Sequence, residues 1–392
     1  MSRDVFVVGP LRTAIGKYGG SLLEKTAVDL GVAVVEGVIS RARIESDAVD
    51  HLIFGNARQA GGGPNPARQV SYRAGIPRER TAYTINMACA SGMKSIALGA
   101  ERIQGGRAEM VICGGMESMS RLPYYVDGAR FGMKMGNQKL VDAMYRDGFL
   151  CPLSKMIMGE TAEKLAQMYK ISRDEQDRYA LESQSRAAAA RDRMADEVLP
   201  VFVADKKKGS RPFATDEHTK PDATLGDLAK LAPVFNKEGS VTAGNASGIT
   251  DGAAAMLLAS ADAVSRHGLK PIARIVDYEE VGVDPEIMGI GPVPATRALL
   301  TRQGISLDSI GLVELNEAFA AQVLACLREL PIDRERLNVN GGAIALGHPI
   351  GCTGARIVVT LLHEMARRKT DRALATLCVS GGLGMSMLFE RV

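Results

Sequence analysis

Short apolar runs, separated by helical segments, recur along the chain. The run at 110–113 is continuously apolar and is followed by two glycines. The run at 374–379 is followed by one serine and then by two glycines. Apolar runs of this length between helical segments are typical of buried strands in α/β layers. The pattern therefore predicts an α/β fold.

The order of these segments occurs twice. A helical pattern of small residues at 27–39 leads into a strand-like stretch at 49–56, and the segment 294–300 leads in the same way into 310–316. The apolar runs described above follow each of these pairs at nearly the same offset. All α/β segments resemble one another to some degree, but the shared order and spacing favour duplication of an α/β unit.

A stretch of different composition, roughly 119–249, lies between the two repeats. It is richer in Met, Lys and Pro, and contains one clear helix that Ser172 caps and Glu175 completes as a capping box. An insertion of this kind is expected to cover a site. We predict an N-terminal half at 1–118 plus 250–268, an inserted loop domain at 119–249, and a C-terminal half at 269–392.

Composition excludes several classes of protein. The 392 residues carry a formal net charge of only +3, and no dense basic stripe suggests nucleic-acid binding. The lysine run at 206–208 is interpreted as a solvated loop. No apolar run approaches the roughly 18 residues of a membrane span, and the N-terminus lacks a secretory pattern. We therefore predict a cytoplasmic protein without membrane or nucleic-acid partners.

The six cysteines form no C-x-x-C pair, so we expect no metal site. Cys89 precedes a helical pattern that is apolar almost all round, which predicts a buried helix with this thiol at its N-terminus. The helix dipole there favours thiolate over thiol, so Cys89 is a candidate nucleophile. The alternative, an inert buried cysteine, is equally compatible with this motif taken alone.

One histidine lies in an unusually glycine-rich loop. Five glycines between 341 and 354 surround His348, and Pro349 follows it directly. Such a histidine is poorly explained by packing and can activate a cysteine by taking its proton. A phosphate-binding loop is the alternative, but the spacing fits neither of the common phosphate fingerprints. The other four histidines are interpreted as structural or solvated.

Two further segments carry polar groups at strand ends. Cys378 leaves an apolar run and enters the turn that begins with Ser380, where backbone N–H groups can form an oxyanion hole. Asn316 and Glu317 follow another apolar run, where Asn316 can hold a water or polarise a carbonyl and Glu317 can orient Asn316 or His348. Cys113 occupies a similar place in the first repeat, so position alone does not identify Cys378 as a proton-transfer group.

Together these segments resemble the thiolase family, over essentially the whole length of the chain. The resemblance implies two duplicated α/β halves in a five-layered α-β-α-β-α arrangement, with an inserted loop domain that binds CoA. Several motifs occur in the family's order, which makes coincidence improbable. They are NMACASGMKS around Cys89, GGMES at 114–118, AGNASG at 243–248, NEAFA at 316–320, GGAIALGHPIG at 341–351, and Cys378 before glycines.

The resemblance also implies a role for each candidate. Cys89 takes the acyl group, His348 is its base, and Cys378 exchanges a proton with the α-carbon of acetyl-CoA. One oxyanion hole is formed by His348 and a water on Asn316, and the other by the backbone N–H groups of Cys89 and Ser380. The reaction is acyl transfer to cysteine followed by Claisen condensation of two acetyl-CoA, or the reverse with free CoA. CoA thioesters are substrates, and no separate cofactor is expected.

The resemblance to the thiolase family also implies which residues contact the substrate and how the chains assemble. The segment 127–136 resembles a loop used for tetramer contacts, which implies a homotetramer. Ser380 replaces a frequent glycine, a change that keeps the backbone donor. The residues expected to contact CoA or the acyl group are Met158, Lys220, Phe235, Ala243, Ser247, Met288, Ala318 and Phe319, with Lys220 near the adenine.

Three alternatives remain open at this point. Short-chain biosynthetic thiolases often carry a histidine immediately before the Met-Gly of the loop domain, where this chain has Ile157. That departure favours a degradative 3-ketoacyl-CoA thiolase that accepts longer chains. A ketoacyl synthase is disfavoured by the second cysteine. A carrier-like relative that binds acyl-CoA without turnover is expected to lack Cys89, His348 or Cys378, and all three are present.

Overall fold

The computed structural model describes residues 3–205 and 209–392, so the lysine run predicted to be a solvated loop lies outside the described residues. No helix within these ranges is long and apolar enough to cross a membrane. Eleven α-helices occur there. They are α1 (Ala27–Ala42), α2 (Pro66–Arg73), α3 (Ser91–Gln104), α4 (Met158–Met168), α5 (Arg173–Ala190), α6 (Leu225–Ala229), α7 (Ala261–His267), α8 (Pro292–Gln303), α9 (Ala320–Glu329), α10 (Ala343–Leu346) and α11 (Ile350–Arg368).

The same described ranges contain fifteen strands. They are β1 (Val5–Thr13), β2 (Gly16–Lys17), β3 (His51–Gly55), β4 (Thr81–Ile85), β5 (Met110–Ser118), β6 (Tyr124–Tyr125), β7 (Val141–Asp142), β8 (Val198–Leu199), β9 (Val201–Asp205), β10 (Gly209–Phe213), β11 (Thr250–Ser260), β12 (Pro271–Gly282), β13 (Leu312–Leu315), β14 (Arg372–Val379) and β15 (Leu383–Arg391).

Most of the strands join into one mixed sheet built from two half-sheets. Its order is β4-β3-β5-β11-β1-β12-β15-β14-β13, with β2 beside β11 and β8 beside β1. Strand β3 runs parallel to β4 and β5, and β13 runs parallel to β14, whereas the other neighbours in this order are antiparallel. The two half-sheets meet where β1 pairs with β12.

Helices cover both half-sheets and fill the space between them. Helices α3 and α11 pack against each other in the centre, where α11 contacts β5 on one side and β14 on the other. Helices α1 and α2 cover the outer face of the first half-sheet, and α8 and α9 that of the second. Strands β5 and β11 are buried along their whole length, as their apolar sequences require. The predicted five-layered α-β-α-β-α fold is confirmed.

The predicted duplication is visible in matched details. Helices α1 and α8 both end at a left-handed residue, Arg43 at φ 54° and Gly304 at φ 64°. Each is followed by a short 3-10 turn and then by the strand β3 or β13. The apolar runs at 110–113 and 374–379 lie in β5 and β14, at matching places in the two half-sheets.

The segment 119–249 contributes α4, α5, α6 and two small antiparallel pairs, β6 with β7 and β9 with β10. Helix α5 begins with the predicted capping box, in which Ser172 and Glu175 exchange hydrogen bonds. Beyond this segment, β11 returns to the first half-sheet between β1 and β5. The residue limits proposed for the three domains stay a prediction.

Candidate active site

A cavity of about 360 Å³ lies where the two halves and the inserted segment meet. The sequence predicted thirteen site residues from distant parts of the chain, and the cavity brings together all of them except Asn316 and Lys220. Those that line it are Cys89, Met158, Phe235, Ala243, Ser247, Met288, Ala318, Phe319, His348, Cys378 and Ser380.

Cys89 lies in the 3-10 turn Ala88–Ala90 that leads into α3, and it is 8% exposed. Ala88 adopts a positive φ of 43°, a strained conformation for a residue with a side chain. Burial raises the pKa of Cys89, while the charge of Arg58 and the backbone N–H groups of Ser380 and Cys89 act in the opposite direction. The sequence predicted that the helix dipole favours a thiolate, whereas burial acts in the opposite direction, so a neighbouring base would assist the sulfur as a nucleophile.

His348 is held as such a base. Its Nδ1 lies 2.6 Å from Thr353 Oγ1, which itself donates its hydrogen to the carbonyl of Pro349. Thr353 therefore accepts from Nδ1–H, and the lone pair of the imidazole is on Nε2, which is buried without a protein partner. Burial first, and then the charges of Arg356 and Arg58, lower the pKa of His348 to about 3, so the ring is neutral.

Cys378 is the penultimate residue of β14, and it lines the same cavity as Cys89. Burial, followed by the proximity of Cys89, raises its pKa well above the usual value for a thiol. The turn that follows contains Gly381 and Gly382, both at positive φ near 90°. This turn directs the backbone N–H of Ser380 at the Cys89 sulfur, so a backbone donor lies beside the candidate nucleophile, as an oxyanion site requires.

Asn316 directly follows β13, and it is 1% exposed. Its backbone N–H donates to Thr376 O at 3.0 Å, which fixes the residue beside β14. Both polar atoms of its side chain are buried without a protein partner. Because buried amides are nearly always hydrogen-bonded, such a side chain indicates a place for a water or a substrate group.

The carboxylate of the neighbouring Glu317 is hydrogen-bonded entirely within the protein. Its carboxylate accepts from Tyr179 Oη at 2.9 Å, Ser183 Oγ at 2.6 Å, Asn338 Nδ2 at 3.0 Å and the backbone N–H of Ile344 at 3.2 Å. It thereby ties α5 of the inserted segment to the two loops that carry Asn316 and His348. The sequence interpretation that Glu317 orients these groups agrees with this network.

Four of the predicted CoA and acyl contacts, Ala243, Ser247, Ala318 and Phe319, lie on two loops that pair with each other. Ala246 and Phe319 form an antiparallel bridge, and Ser247 N–H donates to Ala318 O at 3.0 Å. Phe235 meets Phe319 edge to face at a centroid distance of 6.2 Å. These contacts fix an apolar wall beside Cys89, which suits the pantetheine arm and acyl group of a thioester.

Lys220 is the predicted CoA residue that does not line the cavity. Its side chain is exposed, and its backbone N–H donates to Gln184 Oε1 at 2.7 Å. It lies close enough to His218 for its charge to lower that histidine's pKa, although burial contributes more. His218 does line the cavity, and its interpretation as structural or solvated stays a prediction. Its polar-flanked loop position gave no signal of its place at the cavity.

Two charged groups near Cys89 were missed. Arg58 lines the cavity and is 7% exposed, whereas Glu117 is wholly buried behind it. Glu117 accepts from the backbone N–H of Gly351, at the start of α11, at 2.8 Å. It thus links the loop after β3 to the helix that follows His348. The available signal was a charged residue soon after an apolar strand, but that pattern also describes an ordinary solvated loop.

Comparison with known proteins places this fold and site in a family. The thiolase N-terminal domain matches residues 5–262, and the thiolase C-terminal domain matches residues 269–391. The chain is an enzyme that belongs to the thiolase family, whose members are acyltransferases, and the predicted resemblance is confirmed.

Individual relatives span the full length. The acetyl-CoA acetyltransferase of Pseudomonas aeruginosa is 49% identical, over 99% of this chain and 100% of its own. The crystal structure of human mitochondrial 3-ketoacyl-CoA thiolase is 47% identical and superimposes with a TM-score of 0.97, covering 100% of this chain and 99% of that one. A structure of the same human protein in complex with CoA gives 46% identity and a TM-score of 0.95, with 100% and 98% covered.

Proposed function

We propose that the chain is an acetyl-CoA C-acetyltransferase that condenses two acetyl-CoA reversibly to acetoacetyl-CoA and CoA. The observation that carries the proposal is that Cys89, His348 and Cys378 converge on one cavity, with the backbone N–H groups of Cys89 and Ser380 directed at the Cys89 sulfur. The names of the bacterial relatives support the acetyl group as the unit transferred.

In the first step, His348 Nε2 takes the Cys89 proton as the sulfur attacks the thioester carbonyl of acetyl-CoA. The C–S bond to CoA breaks, and CoA leaves with the proton of Cys378, so that an imidazolium and a Cys378 thiolate remain. The backbone N–H groups of Cys89 and Ser380 stabilise the tetrahedral oxyanion. The neutral, desolvated imidazole supports this role, because a histidine that is already protonated cannot act as a base.

In the second step, Cys378 acts as a thiolate and removes a proton from the α-carbon of a second acetyl-CoA. The resulting enolate oxygen is stabilised by His348 and by a water held on Asn316. The α-carbon then attacks the acetyl-Cys89 carbonyl, the C–S bond to Cys89 breaks, and the departing sulfur takes the proton of the imidazolium. Thiolysis runs the same steps in reverse, with Cys378 returning the proton to the departing acetyl-CoA.

CoA is proposed to lie along the paired loops that carry Ala243, Ser247, Ala318 and Phe319, with Lys220 outside the cavity near the adenine. Phe235, Met158 and Met288 complete the wall next to the acyl group. The acyl and CoA parts are both substrates, and no further cofactor takes part in the reaction.

A second candidate is degradative thiolysis of longer 3-ketoacyl-CoA substrates. Ile157, at the position where short-chain biosynthetic thiolases often carry a histidine, lines the cavity and makes this part of the wall apolar. The similarity to the human 3-ketoacyl-CoA thiolase agrees with that reading. Chain-length preference therefore separates the two candidates.

The test is the rate of CoA-dependent cleavage of acetoacetyl-CoA and of 3-oxooctanoyl-CoA, for wild type and Cys89→Ala. We expect Cys89→Ala to lose about 10⁴-fold or more with both substrates, because the nucleophile is removed. A wild-type preference for acetoacetyl-CoA supports the acetyltransferase, and a preference for the longer chain supports the degradative enzyme. Cleavage of neither substrate would refute both.

We further propose a cytoplasmic homotetramer. The segment 127–136 carries Phe131, Met133 and Met135, which are 91%, 56% and 103% exposed in the isolated chain. Exposed apolar side chains in one short segment favour a protein interface. Mass photometry of wild type and a Phe131→Ser/Met135→Ser double variant tests this: tetramers that dissociate in the variant support the proposal, and a monomeric wild type contradicts it.

A further inference from the structure

One buried cation in the cavity wall has no role in the mechanism described above. Arg58 is 93% buried, and its Nε has no hydrogen-bond partner. Within 3–205 and 209–392, its guanidinium forms no hydrogen bond and no ion pair with a carboxylate. A buried charge without a partner is costly, so a group that is kept in this state is expected to meet an anion that the protein does not supply.

The nearby carboxylate of Glu117 is not that anion. Its Oε1 accepts from Asn56 Nδ2 at 2.6 Å and from the backbone N–H of Arg58 at 3.1 Å. Its Oε2 accepts from the backbone N–H groups of Ala57 at 3.2 Å and Gly351 at 2.8 Å. Four N–H donors therefore satisfy this carboxylate, and it feels the Arg58 charge only at longer range.

The absence of a side chain at Gly148 leaves space for the Arg58 guanidinium. A Cβ placed on Gly148 would lie 2.5 Å from Arg58 Nε and 2.7 Å from Nη2, so the guanidinium packs directly against this glycine. Gly148 belongs to a π-helical turn, Tyr145–Phe149, and turns of this kind often occur at functional sites. Met119 and Phe149 line the same cavity and contribute apolar surface to its wall.

Arg58 lies on the side of the cavity where the acyl group on Cys89 would be. Its charge acts on both Cys89 and His348, so it lies near the sulfur that carries the acyl chain. It belongs to the loop after β3, whereas the residues proposed for CoA lie on the paired loops at 245–247 and 318–320. An anion at Arg58 is therefore best supplied by the free end of an acyl group attached to Cys89.

We propose that Arg58 binds a terminal carboxylate of the acyl group, so that this site takes 3-oxoacyl-CoA thioesters of dicarboxylic acids in addition to acetoacetyl-CoA. The inference rests on the proposed acyl transfer through Cys89. A buried guanidinium–carboxylate pair satisfies both charges, and it also gives the specificity that an apolar wall alone does not provide.

The chemistry is the same thiolysis with one more contact. Cys89 attacks the 3-oxo carbonyl, the bond between C2 and C3 breaks, and acetyl-CoA leaves after protonation at C2. The carboxyacyl group stays on Cys89 with its carboxylate on Arg58. Free CoA then attacks the acyl-cysteine, the C–S bond to Cys89 breaks, and a carboxyacyl-CoA is released. No oxidant or reductant is required.

The test uses two six-carbon substrates that differ only at the chain end, 3-oxohexanedioyl-CoA and 3-oxohexanoyl-CoA. We expect wild type to cleave the carboxylate substrate with the higher kcat/KM. The ratio of the two kcat/KM values should fall about 100-fold in Arg58→Met and recover partly in Arg58→Lys. The exposed Arg78 is paired only with its neighbour Glu79, so Arg78→Met is the matched control and should leave the ratio unchanged.

The inference is overturned if the ratio of the two kcat/KM values is the same in wild type and Arg58→Met. An equal loss of kcat/KM on both substrates, which leaves the ratio unchanged, would indicate that Arg58 contacts CoA or the Cys89 sulfur instead. If wild type cleaves acetoacetyl-CoA but not 3-oxohexanedioyl-CoA, only this inference fails. If it cleaves neither, the proposed function fails.

A binding measurement separates these cases further and does not depend on turnover. In Cys89→Ser, succinyl-CoA should raise Tm more than butyryl-CoA, and Arg58→Met should remove the difference. Equal Tm shifts from the two ligands in Cys89→Ser contradict the proposal. Should Arg58→Met fail to fold, Gly148→Ala, which displaces the guanidinium, must lower the same ratio for the inference to survive.

Discussion

The two halves of the molecule place the same residue types at matching points and use them differently. Asn56 directly follows β3 and Asn316 directly follows β13. The Asn56 side chain donates to Glu117 Oε1 and to Met116 O, whereas both polar atoms of the Asn316 side chain have no protein partner. Within the duplicated scaffold, one copy of the amide stabilises a loop and the other has no protein partner.

The cysteines of the two halves differ in the same way. Cys113 lies in the middle of β5, paired with Met256 on one neighbouring strand and Ile53 on the other. Cys378 lies one residue before the end of β14, where the strand gives way to the glycine turn. Both thiols are fully buried, but only Cys378 lines the cavity. The end of the strand therefore places at the cavity a residue type that the other half uses for packing.

The two central helices, α3 and α11, carry different candidate residues at matching positions before their first turns. Cys89 lies two residues before the start of α3, and His348 lies two residues before the start of α11. The two helices pack against each other in the middle layer. Duplication thus brings two equivalent helix starts to one point, and each half supplies a different partner of the proposed nucleophile–base pair.

The largest expected effect separates the two matching cysteines. Cys378→Ala should reduce thiolysis of acetoacetyl-CoA by about 10³–10⁴-fold, because it removes the proposed acid and base at the α-carbon. Cys113→Ala should keep kcat within about threefold and cost about 1–2 kcal/mol of stability, from lost packing. Steady-state kinetics and urea unfolding measure both, and equal kinetic losses in the two variants would remove the distinction.

For the two matching asparagines, we expect substitution of Asn316 to lower activity and substitution of Asn56 to lower stability. Asn316→Ala should lower kcat about 100-fold with little change in the free energy of unfolding, because its amide has no protein partner to lose. Asn56→Ala should cost about 1–3 kcal/mol, since Glu117 loses a buried donor. Chemical denaturation of both variants, with rates measured well below the unfolding midpoint, checks the prediction. A destabilised Asn316→Ala would show that the amide is structural.

The buried histidine should make stability depend on pH. The pKa of His348 is lowered from 6.5 to about 3 in the folded protein, so the unfolded chain binds a proton that the native state does not. Its contribution is therefore fully present above pH 6.5, and it is lost by about 1.4 kcal/mol per pH unit as pH falls towards 3. Urea unfolding at several pH values should show a shallower fall in His348→Gln. The exposed His267→Gln is the control, and identical slopes in the two variants would contradict the assignment.

The smallest effect concerns the helix ends of the repeat. Arg43 and Gly304 both close a helix in the left-handed region, but only glycine adopts that region without strain. Arg43→Gly should stabilise the protein by about 0.5–1 kcal/mol, and Gly304→Ala should destabilise it by about the same amount. Thermal unfolding of both variants checks the sign, and a destabilised Arg43→Gly would show that the exposed arginine side chain contributes more than the strain.

The sequence by itself determined the fold class, the repeat and most of the candidate site. Apolar runs and capping signals are local, so the α/β order, the capped helix α5 and the strand ends at Asn316 and Cys378 follow from short stretches of chain. The motifs around Cys89 and His348 identified the family, because residue types at fixed spacing are a property of the sequence.

Only the tertiary structure decided how those groups behave. Burial depends on the whole assembled core: it raises the pKa of Cys89, against the effect expected from the helix dipole, and it lowers the pKa of His348 so that the ring is neutral. Whether a polar atom has a partner depends equally on distant segments: Glu117 is satisfied by loops far away in sequence, whereas Arg58 is left unpaired in the cavity wall. Local patterns place residues on strands and helices, but charge and hydrogen bonding are set by neighbours that the chain reaches only after folding.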